Sequence, residues 1–180
     1  MTDAIEEIST PLPLGMCREN TCCFTGHRVI AENAVQPLIR ALEVTIYNLC
    51  TRGYRYFMCG GALGFDMLAE ETVIRGIMAN SPLELILALP CTDQTRAWRT
   101  GGDGARLIER YRRIKGYASS LRYTSVMMTP DCMRQRNAYM TENSSVCVAY
   151  YDTSVYRSGT GQTYRMAQRA GLEIINLWQQ

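Results

Sequence analysis

Residues 56–64 read Tyr-Phe-Met-Cys-Gly-Gly-Ala-Leu-Gly, an apolar run that breaks into glycines. Behind this run, apolar residues recur at helical spacing over residues 65–79, with Leu68, Ile74 and Ile77 on one face. A buried strand, a glycine loop and an amphipathic helix in this order form one unit of an α/β sheet. The segment therefore predicts a strand that ends in a loop where a ligand can approach the backbone closely.

The same unit recurs along the chain. Six apolar runs alternate with helical patterns, and they predict strands over residues 21–25, 56–59, 83–89, 121–128, 145–151 and 172–177. Strands that alternate with helices form parallel sheets, and right-handed crossovers distribute the helices over both faces. The sequence thus predicts a Rossmann-like, doubly wound α/β fold with a mainly parallel sheet and helices on both faces.

The length of 180 residues is within the range of a single domain. Residues 1–20 begin with acidic residues and contain Pro11 and Pro13, so we expect a loosely ordered N-terminal leader there. Residues 21–180 are expected to form one Rossmann-like domain. No apolar run approaches the roughly 18 residues of a membrane span, so we expect no membrane partner. The sequence leaves the oligomeric state open, and a homo-oligomer is one of the states it allows.

The chain has eight cysteines, and none of them belongs to a Cys-x-x-Cys pair. Cys17, Cys22, Cys23 and His27 could be drawn as a zinc site. Their spacing differs from that of zinc fingers, however, and a strand would turn Cys22 and Cys23 to opposite faces. We therefore expect no metal site and no other cofactor. Unpaired thiols inside apolar runs are typical of a reducing compartment, which predicts a cytoplasmic protein.

Ligands of open α/β sheets bind at the carboxyl ends of the strands. Three segments at predicted strand ends carry suitable residues: Gly26, His27 and Arg28 after the first strand, Gly60, Gly61, Ala62 and Gly64 after the second, and Asp152, Gly159, Thr160, Gly161 and Thr163 after the fifth. Successive backbone N–H groups at the start of a helix bind anions. We expect Arg28 and the two glycine-rich loops to converge on one phosphate site.

Several side chains near these loops have two interpretations. His27 is the only histidine, and it either contacts a ligand or is held by backbone groups. Asp66 and Glu70 lie four residues apart, and they either complement the helix dipole, or bind ribose hydroxyls or act as catalytic carboxylates. Arg136 and Asn137 lie on the helix after the fourth strand, where the arginine could contact a phosphate and the asparagine a base.

Taken in chain order, these motifs resemble a known family. The series comprises Gly26-His27-Arg28, Cys59 to Asp66, Ala69-Glu70, Leu89-Pro90, Gln94, Trp98, Tyr111, Arg136-Asn137, Met140, Tyr151-Asp152 and Gly159-Thr160. It resembles the YpsA-like branch of the SLOG superfamily, which also includes DprA-type DNA-processing proteins and LOG-type nucleotide hydrolases. The resemblance covers about residues 23–175. It implies a Rossmann-like fold with a pocket for a nucleotide or nucleotide-derived ligand.

Three functions of different classes are compatible with this sequence. The first is binding or sensing of a phosphate-bearing, nucleotide-like ligand, and the second is cleavage or transfer at an N-glycosidic bond, as in LOG-type hydrolases. The third is binding of single-stranded nucleic acid, as in DprA-type proteins. A net charge of +2 argues against a large phosphate footprint. We therefore expect a small nucleotide-like ligand as the partner and regard nucleic acid as disfavoured.

The second of these functions leads to a prediction about catalysis. The resemblance implies a motif Pro-Gly-Gly-x-Gly-Thr-x-x-Glu in LOG-type hydrolases, and here Gly159-Thr160 matches it while Thr163 stands in place of the glutamate. A threonine hydroxyl is not ionised near neutral pH, so it cannot stabilise an oxocarbenium-like charge. We predict that the protein releases no free adenine from AMP above a no-enzyme control, as measured by chromatography. Turnover that Asp66→Asn abolishes would contradict this prediction and make Asp66 a catalytic carboxylate.

Overall fold

The computed structural model describes residues 2–99 and 102–178. The ends of the predicted leader and domain at Met1, Gln179 and Gln180, and the loop residues Thr100 and Gly101, lie outside this part of the chain. Six strands form one sheet in the order β4-β3-β2-β1-β5-β6, and every neighbouring pair is parallel. The strands are β1 (Thr21–Gly26), β2 (Tyr56–Cys59), β3 (Glu84–Leu89), β4 (Ser120–Tyr123), β5 (Val146–Tyr150) and β6 (Glu173–Asn176).

Helices cover both faces of this sheet. The longer ones are α2 (Glu32–Thr51), α3 (Phe65–Met78), α4 (Gly104–Tyr117), α5 (Cys132–Glu142) and α6 (Gly159–Arg169). α3 packs against α2 and α4, and α5 packs against α6. The buried core divides accordingly, with Cys22 and Phe24 in one cluster and Cys23 and Met140 in the other. The alternation along β1 thus turns Cys22 and Cys23 to opposite faces, and the predicted Rossmann-like, doubly wound fold is confirmed.

The fourth strand is shorter than the predicted range 121–128, because β4 ends at Tyr123. Its only neighbour in the sheet is β3, which ends at Leu89 just before Pro90. Beyond Thr124, whose N–H donates to the Leu89 carbonyl at 3.0 Å, the chain has no strand to pair with. Residues 125–131 therefore run as an exposed loop in which Met127 is 68% exposed.

The N-terminal segment is more ordered than the loose leader that its composition suggests. It contains the helix α1 (Thr2–Ile8), which contacts β4. The Thr10 N–H donates to the Leu121 carbonyl at 2.9 Å, and the Leu121 N–H donates to the Thr10 hydroxyl at 2.7 Å. A strand at the edge of a sheet exposes unpaired backbone groups, and these contacts satisfy part of that edge.

The strand order positions the site. From β1 the chain winds outward through β2, β3 and β4, then returns to the other side of β1 as β5 and β6. The carboxyl ends of β1 and β5 therefore flank the point where the winding reverses, which is where ligands bind in such sheets. Gly26 ends β1, Gly60 follows β2, and Gly159 lies in the connection after β5, so all three reach this edge. None of the helices in the described ranges is long and apolar enough to cross a membrane.

Candidate functional site

A cleft of about 470 Å³ opens at the carboxyl edge of the sheet, between the end of β1 and the starts of α5 and α6. The predicted site residues that line it are Gly26, His27, Arg28, Ala62, Asp66, Arg136, Asn137, Gly159, Thr160 and Thr163. Its lining also includes residues that the sequence reasoning did not single out as site residues, namely Phe24, Thr25, Met133, Met140, Ser158 and Gln162. Gly60, Gly61, Gly64, Glu70, Asp152 and Gly161 lie outside its lining.

The start of α6 forms one wall of the cleft. Ser158 caps this helix, since its hydroxyl accepts the Gly161 N–H at 2.9 Å. The Thr160 hydroxyl donates to the Gly26 carbonyl at 2.9 Å, which fastens the helix start to the end of β1. Within the described residues, the N–H groups of Gly159 and Thr160 have no hydrogen-bond acceptor. Together with the helix dipole, these two free donors are suited to an anion.

Arg28 lies on the rim of the same cleft. Its side chain is exposed, and its guanidinium makes no hydrogen bond or ion pair with any residue in the described ranges. Arg157 is likewise exposed and unpaired in that part of the chain, and it directly precedes the capping Ser158. Arg28 is thus an exposed cation in the cleft lining, near enough to Asp66 to lower the pKa of that carboxyl, and Arg157 is a second exposed cation in the chain segment that leads into the lining.

The glycine loop after β2 is organised by a buried ion pair. Asp66, at the start of α3, accepts the N–H groups of Gly60 at 3.2 Å and Ala62 at 3.4 Å. Arg136 of α5 donates to the Gly60 carbonyl at 2.5 Å, and its guanidinium lies 3.9 Å from the Asp66 carboxylate. A side chain at position 60 would occupy the space of this guanidinium, so only glycine fits there. The loop is therefore held by β2, α3 and α5 together.

Glu70 binds the next residue of this loop. It is fully buried, and its carboxyl oxygen accepts the Gly61 N–H at 3.1 Å, while the Gln94 amide donates to the Gly61 carbonyl. Gly61 has a φ of +63°, and a Cβ there would lie 2.7 Å from the Leu89 side chain. The N–H groups of residues 60–62 therefore point at the protein's own carboxyl groups. This differs from the expected phosphate cradle, and Glu70 is too deeply buried to contact a ligand in the cleft.

Burial also sets the protonation of this cluster. It raises the pKa of Glu70 well above its ordinary value, and the nearby Asp66 carboxylate raises it further. Burial raises the pKa of Asp66 too, but the Arg136 guanidinium and the Ala62 and Gly60 N–H groups oppose that shift. Two like charges in one buried space cannot both be stabilised by one cation. The surroundings therefore favour the protonated form of Glu70, whereas Arg136 and the two loop N–H groups favour the charged form of Asp66.

His27 and Asp152 are both held by neighbouring groups. The His27 Nε2 accepts the Asp152 N–H at 2.9 Å. Its ring packs near Tyr151 and Trp178, with centroids 5.7 Å and 5.5 Å away. The Asp152 carboxylate accepts the Ser154 hydroxyl at 2.7 Å and the Ser154 N–H at 2.9 Å, and these bonds lower its pKa. Of the two interpretations of His27, the geometry favours backbone anchoring, although the ring still lines the cleft.

The residues that sequence reasoning missed lie where local patterns carry weak signals. Thr25 is the penultimate residue of β1 and points to the face that α5 and α6 cover, as Cys23 does. Ser158 carries an N-cap signal, because serine directly precedes a helical stretch. Met133 lies one turn before Asn137 on α5 and could have been found by that spacing.

The fold and the cleft define a class of protein. Its members have a single Rossmann-like sheet, and ligands bind at the carboxyl edge of this sheet, where the strand order reverses. Within this class, the sequence model of a protein family described as the YspA SLOG family matches residues 24–176. The chain therefore belongs to this YpsA-type SLOG family, as its motifs suggest. No curated protein sequence matches it significantly.

Solved structures of DprA proteins share the fold. One is the DNA processing protein A from Helicobacter pylori, whose description concerns its single-stranded DNA binding mode; the TM-score is 0.61 at 18% identity over 89% of this chain. Another is DprA from Streptococcus pneumoniae, with a TM-score of 0.59 at 14% identity over 90% of this chain. The chain spans 66% of the first protein and 51% of the second.

The prediction that nucleic acid is a disfavoured partner is wrong. A protein with this fold is described as binding single-stranded DNA, so the fold itself is compatible with that partner. The error lies in using a net charge of +2 for the whole chain. Binding of phosphates depends on the local distribution of charge, and Arg28 lines the cleft without an ion pair in the described ranges, although many other arginines are paired elsewhere.

The buried Glu70 leads to a prediction about pH. Because burial raises its folded-state pKa above the unfolded value of about 4.3, the folded protein binds one proton more than the unfolded chain once the pH exceeds that value. Stability is then lost as the pH rises towards the folded pKa, by about 1.4 kcal/mol per pH unit. Glu70→Gln keeps an oxygen for the Gly61 N–H but cannot ionise. We expect the free energy of unfolding of Glu70→Gln, relative to that of wild type, to increase between pH 5 and pH 8 when both are measured by urea unfolding.

The matched control is Glu142→Gln, since Glu142 is an exposed glutamate at the end of α5, outside the buried cluster. This variant should show no such growth with pH. A constant difference between Glu70→Gln and wild type over the same range would mean that Glu70 is already ionised in the folded protein.

Proposed function

We propose that the cleft binds a small, phosphate-bearing, nucleotide-like ligand, with the phosphate between the start of α6 and Arg28. The observation that carries this proposal is the pair of free N–H groups at Gly159 and Thr160, which face a cleft whose rim holds an unpaired guanidinium. Backbone donors at a helix start and a planar guanidinium are the two groups that most often bind phosphate oxygens.

Asp66 supports a sugar phosphate as the ligand. One of its oxygens accepts the two loop N–H groups, the other has no hydrogen-bond partner among the described residues, and Asp66 is one of the residues that line the cleft. A free carboxylate oxygen repels phosphate but accepts hydroxyl groups. The phosphate is therefore expected on the α6 side of the cleft and sugar hydroxyls on the Asp66 side. The volume of about 470 Å³ is in the range of small-molecule sites.

Binding or sensing is favoured over glycosidic cleavage. Asp66 is the only carboxylate in the lining that the described residues provide, and two loop N–H groups and Arg136 already stabilise its charge. Thr163, where a LOG-type glutamate would stand, donates its hydroxyl to the Gly159 carbonyl at 3.2 Å and so helps to shape the helix start. The cleft has donors for a phosphate and an acceptor for hydroxyls, but no second carboxylate for acid–base work.

The arginine on the rim provides the direct test. We predict that wild-type protein binds AMP or ADP-ribose in titration calorimetry and that Arg28→Ala weakens this binding by about 10- to 100-fold, because a charge-assisted hydrogen bond is lost. Arg40→Ala, an exposed arginine of α2 away from the cleft, serves as the control and should bind as wild type does. Equal affinities of both variants would place the phosphate elsewhere, and no binding of any nucleotide by wild type would refute the function.

A second candidate is single-stranded nucleic acid, favoured by Arg28 in the cleft lining, by the exposed Arg157 one residue before the lining residue Ser158, and by the DprA protein described as binding single-stranded DNA. A strand would place one of its nucleotides in the same cleft and its flanking phosphates on the rim. Such binding releases counterions, so its affinity falls steeply with salt.

For this candidate we predict that a fluorescent oligo(dT) binds at 50 mM salt in anisotropy titrations, that AMP competes with it, and that Arg157→Ala weakens it more than it weakens AMP. A flat anisotropy signal at low salt would remove nucleic acid from the list of partners, while oligonucleotide binding that AMP does not displace would place the strand on another surface.

A further inference from the structure

The cleft has a polar floor opposite the phosphate wall. Asn137 is 8% exposed and Thr25 is 6% exposed, and both line the cleft. Neither side chain forms a hydrogen bond with any residue that the structure describes. The protein does not fully enclose the polar atoms of these two side chains, so these atoms remain accessible from the cleft. A polar side chain this deeply buried is normally bonded, and a ligand that supplies its partner gains the corresponding free energy.

Apolar side chains flank this floor. On α5, Met133 lies four residues before Asn137 and Met140 three residues after it, so the two thioethers stand one turn to either side of the amide. Methionine side chains are adaptable and make favourable contacts with aromatic rings. An amide between two thioethers is a suitable surrounding for the edge of a planar heterocycle.

We propose that this floor is an adenine subsite, in which the Asn137 side chain accepts from the exocyclic amino group and donates to the neighbouring ring nitrogen. Asparagine forms this two-point contact with adenine, whereas guanine is more often read by arginine. The arginine beside the floor, Arg136, is committed to the Gly60 carbonyl and to Asp66. The inference rests on the proposed function and extends it: base at Asn137, sugar hydroxyls at Asp66, phosphate at the start of α6.

The test separates base recognition from phosphate binding by using two ligands, AMP and ribose 5-phosphate. Asn137→Leu replaces the amide by an apolar group of similar size. It should weaken AMP binding by about 5- to 150-fold and leave ribose 5-phosphate binding unchanged. Asn137→Ala, which cannot clash with its neighbours, should give the same selective loss. Gln135→Leu changes an exposed residue of the same helix and should leave both affinities as in wild type. Wild type should bind GMP at least fivefold more weakly than AMP.

Each other result has a distinct meaning. If wild type binds neither AMP nor ribose 5-phosphate, the proposed function fails together with the subsite. If wild type binds both and the Asn137 variants weaken both equally, Asn137 supports the sugar, the phosphate or the helix, and the adenine subsite is refuted alone. GMP binding as tight as AMP binding, or unchanged AMP binding by both variants, likewise refutes it.

Discussion

The contact of the buried Arg136 guanidinium with the Gly60 carbonyl and Asp66 connects the parts of the molecule that form the site. Arg136 is 7% exposed, so its charge is stable there only because a carbonyl and a carboxylate lie beside it. Asp66 in turn depends on Arg136 and on the N–H groups of Gly60 and Ala62. Removing either charge would leave the other buried without a counter-charge, so the loop after β2, α3 and α5 are expected to keep their relative positions only while both are present.

That arrangement decides which glycine loop is free to bind a ligand. Asp66 and Glu70 occupy the N–H groups of residues 60–62, and a phosphate there would have to displace a carboxylate that Arg136 already neutralises. At the start of α6, by contrast, the first turn contains no acidic residue, and the cap is a neutral serine. We therefore propose the anion site at the start of α6, where the N–H donors are free, and not at the loop after β2, which has more glycines.

The alternation of buried runs and amphipathic helices was sufficient to predict the parallel sheet, because its inner strands β2, β3 and β5 are almost entirely buried and apolar. The end of the edge strand β4 and the structure of the leader were harder to predict from the sequence. Where β4 ends is decided by the end of β3, and the described part of the leader is connected to the sheet by contacts such as that of Thr10 with Leu121, 111 positions away. The strand-end residues were found because the fold places them at one edge. The role of Gly60 could not be found this way, since it depends on Arg136, 76 positions further along the chain.

The loop after β2 and the start of α6 also show why glycines next to a helix start can give two different arrangements. In both, glycines lie just before or within the first turn of a helix that follows a strand of the same sheet. What differs is the chemistry of the first helical turns. α3 carries carboxyl groups at Asp66 and Glu70, which accept the N–H groups of the loop, and burial beside Asp66 raises the pKa of Glu70. α6 carries the hydroxyl groups of Thr160 and Thr163, which bond to the carbonyls of Gly26 and Gly159 and leave the N–H groups open. A glycine-rich loop before a helix thus indicates an anion site only when the helix that follows brings no anion of its own.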